Sequence, residues 1–223
     1  DTKKVTIQTG QQVNTVNVAF NATLFDTGGH RDLVESDFLG NSGETKDWNK
    51  HFEFGLNLDY SNFSFQGQFL KREGGAYVGI ANALNDESQQ DYVEYFLALA
   101  YTNSLTENLT LNQTFYNNNF KLDNYWQLFP EAFSPAFPNG LLARSFITME
   151  SFGAEFQLEY SLNQHKLVLG IMAEHQSIFD VGFEAEQKKA AYTYEKVQSL
   201  NLNYTLSNSI AIWPFAGYGR SKN

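Results

Sequence analysis

The stretch Trp48–Arg72, WNKHFEFGLNLDYSNFSFQGQFLKR, decides the fold. From Phe52 every second residue is apolar (Phe52, Phe54, Leu56, Leu58, Tyr60), with Glu53, Gly55, Asn57 and Asp59 between them. Such alternation sends the two sets of side chains to opposite faces of a strand. After Ser61-Asn62 it resumes as Phe63, Phe65, Gly67 and Phe69 against Ser64, Gln66 and Gln68. A two-residue hairpin at Ser61-Asn62 sets Tyr60 opposite Phe63, Leu58 opposite Phe65 and Phe54 opposite Phe69, so both strands turn their apolar residues to one side. In a soluble sandwich that side is core. In a transmembrane barrel it faces lipid, and the polar side faces a wet lumen.

Working outward, the same alternation runs through Val16–Leu24, Val93–Tyr101, Leu109–Phe115, Phe152–Tyr160 and Leu167–Ala173. It is weaker in Lys3–Thr9, which Gly10-Gln11-Gln12 ends as a turn, and in two segments through Tyr192–Tyr204 and Ile210–Ile212. The connections alternate in length. Ser61-Asn62, Thr102–Glu107, Ser161–Gln164 and Thr205–Asn208 are short, whereas Asp26–Asp47, Glu73–Gln90, Lys121–Glu150 and Gln176–Lys189 are long. Outer-membrane barrels have this asymmetry, with short periplasmic turns and long outward loops. Tyr60, Tyr101, Tyr160 and Tyr204 recur at the short turns, as in an interfacial aromatic girdle. The pattern predicts one all-β domain over residues 1–223, an antiparallel up-and-down transmembrane β-barrel of about ten strands. Both chain ends then fall on the long-loop side, which points to a piece of a larger barrel.

Composition narrows the function classes. No run of about 18 apolar residues exists, which excludes a membrane-spanning helix but not a spanning barrel. A net charge of -10 without a basic stripe argues against nucleic acid as a partner. The 223 residues include no cysteine, so a disulfide framework and a thiolate metal site are excluded. Asp1-Thr2-Lys3-Lys4 leads into no apolar segment, as expected of a mature or trimmed chain.

Three stretches carry a resemblance to a known family. They are the hairpin Phe52–Arg72 running into Glu73-Gly74-Gly75-Ala76-Tyr77, the segment Tyr101–Leu111 (YTNSLTENLTL), and Ser151–Tyr160 (SFGAEFQLEY) followed by His165–Gly170 (HKLVLG). The chain resembles the N-terminal half of the barrel of a TonB-dependent outer-membrane receptor. The resemblance implies a barrel of 22 strands filled by a plug domain, and uptake of a siderophore, haem, cobalamin or glycan across the bacterial cell outer membrane. Nothing in the chain matches the plug, so contact with TonB is assigned to no residue. A passive porin-like channel and a soluble all-β binding module are the alternatives.

The expected ligand contacts lie in long connections. Asn124–Asn139, NYWQLFPEAFSPAFPN, gathers Trp126, Phe129, Phe133 and Phe137 with three of the four prolines. Prolines lower the entropy cost of presenting aromatics to a small-molecule ligand, although a long loop also needs apolar residues for its own packing. Tyr77, in Glu73–Gln90, is a second candidate. The other partners expected are outer-membrane lipid and lipopolysaccharide. His30, His51, His165 and His175 lack the spacing of a metal motif, and Glu35, Asp37, Glu44 and Asp47 lack the alternating order of a calcium loop, so no metal or cofactor is expected. Glu53, Asp59, Glu155 and Glu159 fall on the polar face, where they either favour cations or pair with nearby bases. No Asp-x-Asp, Asp-x-His or Gly-x-Ser-x-Gly occurs, and no enzyme is expected.

Overall fold

The computed structural model describes residues 1–76, 82–85, 87–190, 193–202 and 208–220, with side chains described as far as residue 186. The strands are β1 (Thr2–Val13), β2 (Val16–Thr27), β3 (Leu33–Val34), β4 (Gly43–Glu44), β5 (Asn49–Tyr60), β6 (Phe63–Gly75), β7 (Gln89–Thr106), β8 (Leu109–Phe129), β9 (Leu141–Leu162), β10 (His165–Ala190), β11 (Thr193–Leu202) and β12 (Asn208–Arg220). One antiparallel sheet takes them in the order β1-β2-β5-β6-β7-β8-β9-β10-β11, with β12 also on β10, and β3 and β4 form a separate small hairpin. Among the described residues the sheet is open, with β1 at one edge and β11 and β12 at the other.

The hairpin register is the one the alternation demands: Tyr60 pairs Phe63, Leu58 pairs Phe65 and Phe54 pairs Phe69. The tight turns use a left-handed residue at their first position, Asn14 (φ 55°), Ser61 (φ 53°) and Asn163 (φ 51°), which matches the twist of the flanking strands. Tyr60, Tyr101 and Tyr160 share the apolar face at the short-turn margin; Tyr204 lies outside the described residues.

No described residue covers the apolar face. On β9, Phe152, Phe156, Leu158 and Tyr160 are exposed, whereas Gly153, Glu155, Gln157 and Glu159 between them are buried or half-buried. The fully buried apolar side chains described, Ala83, Leu141, Ala143, Phe146 and Ala185, all lie at the long-connection end. On β9 the usual inside and outside of a soluble sheet are exchanged, whereas on β5 Glu53, Asn57 and Asp59 are exposed as well.

The strands are tilted. The cross-strand row through Tyr60 continues through Phe63, Tyr101, Gln113 and Phe156. The β1–β2 hairpin closes at that row, where Val13 pairs Val16 and Val16 pairs Tyr60. The β9–β10 hairpin closes six residues beyond Phe156, at Leu162. One residue of stagger per strand, at about 3.3 Å per residue and about 4.8 Å between strands, tilts the strands by about 35°. The apolar stretch moves with it. It spans Phe52–Tyr60 on β5 and Phe152–Tyr160 on β9, and Phe152 lies in the row of Leu56. The apolar residues therefore form a level band about 22 Å tall across tilted strands.

Several expectations need correction. Gly10-Gln11-Gln12 is strand, and the turn follows at Asn14-Thr15; β1 is exposed along its whole length, so its polar residues carry no facial pattern. The connection expected over Lys121–Glu150 shrinks to residues 130–140 because the β8–β9 ladder continues to Phe129 and Leu141. That over Gln176–Lys189 is strand, with a bulge between Phe179 and Gly182. The expected turn Thr205–Asn208 lies outside the described residues except for Asn208. β11 and β12 pair antiparallel with consecutive stretches of β10, so they run the same way, and β12 ends at the short-turn margin opposite His165. Within the described residues the chain crosses the sheet nine times rather than ten, and the last described strand ends at the margin opposite the start of β1.

The placement of β12 is open to cross-linking, since the chain has no cysteine of its own. Adjacent antiparallel pairs alternate between wide and close spacing, so one of Met172–Trp213 and Ala173–Ile212 has the close spacing a disulfide favours. Cysteines introduced at each pair are expected to oxidise to an intramolecular disulfide in at least one. No cross-link in either would place β12 elsewhere.

Candidate functional site

Two regions concentrate chemistry, the cap at the long-connection end and the polar face of the sheet. The cap is built by hydrogen bonds between connections. The Asp37 carboxylate accepts the N–H of Leu39 (2.8 Å) and of Asn41 (2.8 Å) within its own loop, and that of Leu84 (3.0 Å) from the next. Beside it the Phe38 N–H donates to the Asn82 carbonyl at 3.1 Å. These donors hold the Asp37 carboxyl below the ordinary carboxylate range, the Leu84 N–H contributing most. Asp37 thus ties the connection after β2 to the connection after β6.

The aromatic loop joins the same layer. Phe129 is stacked between Phe133 (centroids 4.9 Å apart, planes 9° apart) and Phe137 (5.8 Å, 15°). Phe38 meets Phe133 at 5.6 Å, which brings the first and third long connections together. Backbone bonds from Ala132 to Pro138, Phe137 to Ser134 and Gly140 to Phe137 close the loop on itself. Phe129 stacks with two rings and is half-buried, so it supports the loop, while Phe133 keeps 39% of its surface open. Trp126 is not in the loop. It lies on β8 opposite Ala143, half-buried. Tyr77 lies outside the described residues.

Just below the cap, Arg144 on β9 is held in a fork by Asp123 on β8, with Nε to Oδ1 at 2.7 Å and Nη2 to Oδ2 at 2.5 Å. Glu184 on β10 stands 3.7 Å away, and the guanidinium lies 4.8 Å from the Phe146 ring and 5.7 Å from the Tyr125 ring. The Asp123 bond raises the Arg144 pKa further, so the cation persists at every physiological pH. This fork clamps three strands at their long-connection end, a position invisible to the alternation because it depends on neighbours far apart in the chain.

The polar face carries the remaining chemistry. Tyr116 on β8 lies across Gly153 on β9, where a Cβ would come within 2.1 Å of the ring, and its hydroxyl reaches Glu174 on β10 at 2.5 Å. Gly153 is therefore the gap that lets one tyrosine span two strands. Glu159 pairs with Lys166 at 2.5 Å and Glu53 faces His51 at 3.6 Å, so two of the four acids read on this face have basic neighbours. His51 stacks on Phe25 at 4.6 Å and His30 bonds Asp32 at 2.8 Å. No group of three metal-binding side chains exists among the described residues.

Comparison with protein-family models and with curated proteins finds no match.

The Asp37 tie is expected to depend on pH in a set direction. A carboxyl held below its unfolded pKa stabilises the tie above that value and loses it as pH falls through the folded one. The protection factors of the Leu84 and Asn41 amides, relative to the unstructured rate at each pH, are expected to hold at about pH 5 and to fall at lower pH. Asp37→Ala is expected to lower them throughout, and unchanged protection in that variant would remove Asp37 from this role. In the aromatic loop, Phe129→Ala takes away the middle ring of the stack and is expected to lower local stability by about 1–3 kcal/mol, read as faster exchange at Ala132, Phe137 and Gly140. Equal loss on Phe133→Ala would mean that the stack has no central member.

Proposed function

We propose that the chain forms part of the wall of a transmembrane β-barrel in the outer membrane, in a receptor of the TonB-dependent type that takes up a small-molecule ligand. The observation that carries this reading is the exposed apolar band. An open sheet with large apolar side chains bare on one face does not hold together in water, and needs a second apolar layer. Lipid supplies that layer at the right height, since the band is close to the roughly 25 Å apolar belt of outer-membrane barrels. The tilt of about 35° falls within the range of such barrels. Edges left unpaired in hydrocarbon are costly, so further strands are expected to complete the closure.

The receptor assignment rests on the family resemblance of Phe52–Gly75, Tyr101–Leu111 and Ser151–Gly170, together with the packed cap. Strands of 18–26 residues, β7 to β10, rise well beyond the band. They suit a wall that stands above the membrane and presents the Phe38–Phe133 contact and the Arg144 clamp to the outside. Phe133 and Trp126 remain the first residues to test for ligand contact; Phe129 and Phe137 act by supporting the loop.

One substitution separates lipid from water on the apolar face. Leu97 lies near the middle of the band, opposite Gly67, and is 43% exposed. In hydrocarbon Leu97→Arg is expected to cost about 2–4 kcal/mol of folding free energy, whereas an exposed surface position in water tolerates the change within about 0.5 kcal/mol. Denaturant titration of the protein folded in lipid vesicles reads the difference, with polar-face Gln66→Arg as the control. A neutral Leu97→Arg, or folding in plain buffer, would defeat the membrane reading.

A further inference from the structure

A groove of about 390 Å³ opens at the long-connection margin of the band. Its floor is Val5, Leu24 and Phe52, one cross-strand row on β1, β2 and β5, exposed by 58%, 57% and 37%. Its rim carries Lys71, in the row of Phe52, and Lys3 and Lys50, two residues nearer the long connections. Asp26 stands between Lys3 and Lys50, and Glu73 binds Lys71 at 2.7 Å. Asp91 follows Glu73 in the same row, so three ammonium groups converge here among three carboxylates in a chain of net charge -10. The opposite margin of the same face ends in Tyr60, Phe63, Tyr101 and Tyr160, with no lysine among the described residues.

We propose that this groove seats one anionic membrane amphiphile, with its acyl chain on Val5, Leu24 and Phe52 and its phosphate between the Lys3, Lys50 and Lys71 ammonium groups. The proposal rests on the membrane reading of the band. An acyl chain fits because the floor is apolar and continuous with that band. An anion fits because lysines reach from the edge of an apolar surface with their stems on it and their charged ends in the headgroup layer. A soluble anion would leave the apolar floor wet.

The test uses the protein purified in non-ionic detergent, titrated by native mass spectrometry. The probes are phosphatidylglycerol, phosphatidylcholine with the same acyl chains, and inorganic phosphate. The wild type is expected to bind one phosphatidylglycerol about ten-fold more tightly than phosphatidylcholine. Replacing Lys3, Lys50 and Lys71 together by Gln is expected to remove the preference, while replacing all three by Arg, or Lys121→Gln alone, is expected to keep it. Equal binding of the two lipids, a preference that survives the triple Gln variant, or inorganic phosphate bound as tightly as the lipid would each overturn the proposal while leaving the barrel reading intact. A chain that folds without detergent and binds neither lipid would overturn both.

Discussion

An apolar face without a protein partner is the constraint on which the other features depend. In a strand the side chains alternate, so burying Phe, Leu and Val on one face commits the intervening Glu, Asn and Gln to the other. On β9 the committed polar face is the more enclosed of the two, and large apolar side chains stay exposed on the other face across β5, β7, β9 and β10. A sheet of this kind needs a second apolar layer, from protein or from lipid. The level of the band across strands staggered by one residue each is a second, independent property. Core residues of a sandwich follow the shape of the facing sheet, whereas a flat slab of hydrocarbon selects a band of constant height.

Where the band ends, the rules change. Beyond Phe52 on β5 and Val93 on β7 the same face carries Lys50, Asp91 and Glu73. Strand pairing continues there because the backbone groups of neighbouring strands still need each other, but side chains no longer have to alternate. The strands are then held by specific contacts: the Asp123–Arg144–Glu184 clamp across β8, β9 and β10, and the Asp37 tie between connections. Loss of Asp123 would leave the half-buried Arg144 guanidinium with aromatic neighbours and only Glu184, at 3.7 Å, as a counter-charge.

This division explains what could be read from the sequence. Inside the band Phe54, Leu58 and Tyr60 fixed strand identity, face and register together, because a slip of one residue would turn every ring to the wrong side. Outside it the strand ends of β8 and β10 look like loops in the sequence, since Lys121–Phe129 and Gln176–Lys189 carry no alternation. Gly10 looks like the end of β1 for the same reason. The direction of β12 was beyond reach because two strands in line on one neighbour and two strands folded as a hairpin share the same apolar pattern. The aromatic loop was found by composition, but composition could not tell Phe129, enclosed in the stack, from Phe133, left open. The groove residues went unnoticed because Lys3, Lys50 and Lys71 are 21 or more positions apart in the sequence and meet only through the register of four strands.

The two margins of the band therefore differ in kind. Tyrosines at the short-turn margin place a weakly polar hydroxyl at the end of an apolar ring, which suits a boundary of neutral or zwitterionic headgroups. Lysines interleaved with carboxylates at the other margin suit a boundary where phosphates are dense. A symmetric bilayer would exert no such difference on the two edges of one sheet. On the membrane reading proposed above, margins so unlike suit an asymmetric membrane, and the packed cap, with Phe133 open and Arg144 clamped beneath it, then falls on the side where the anionic headgroups are.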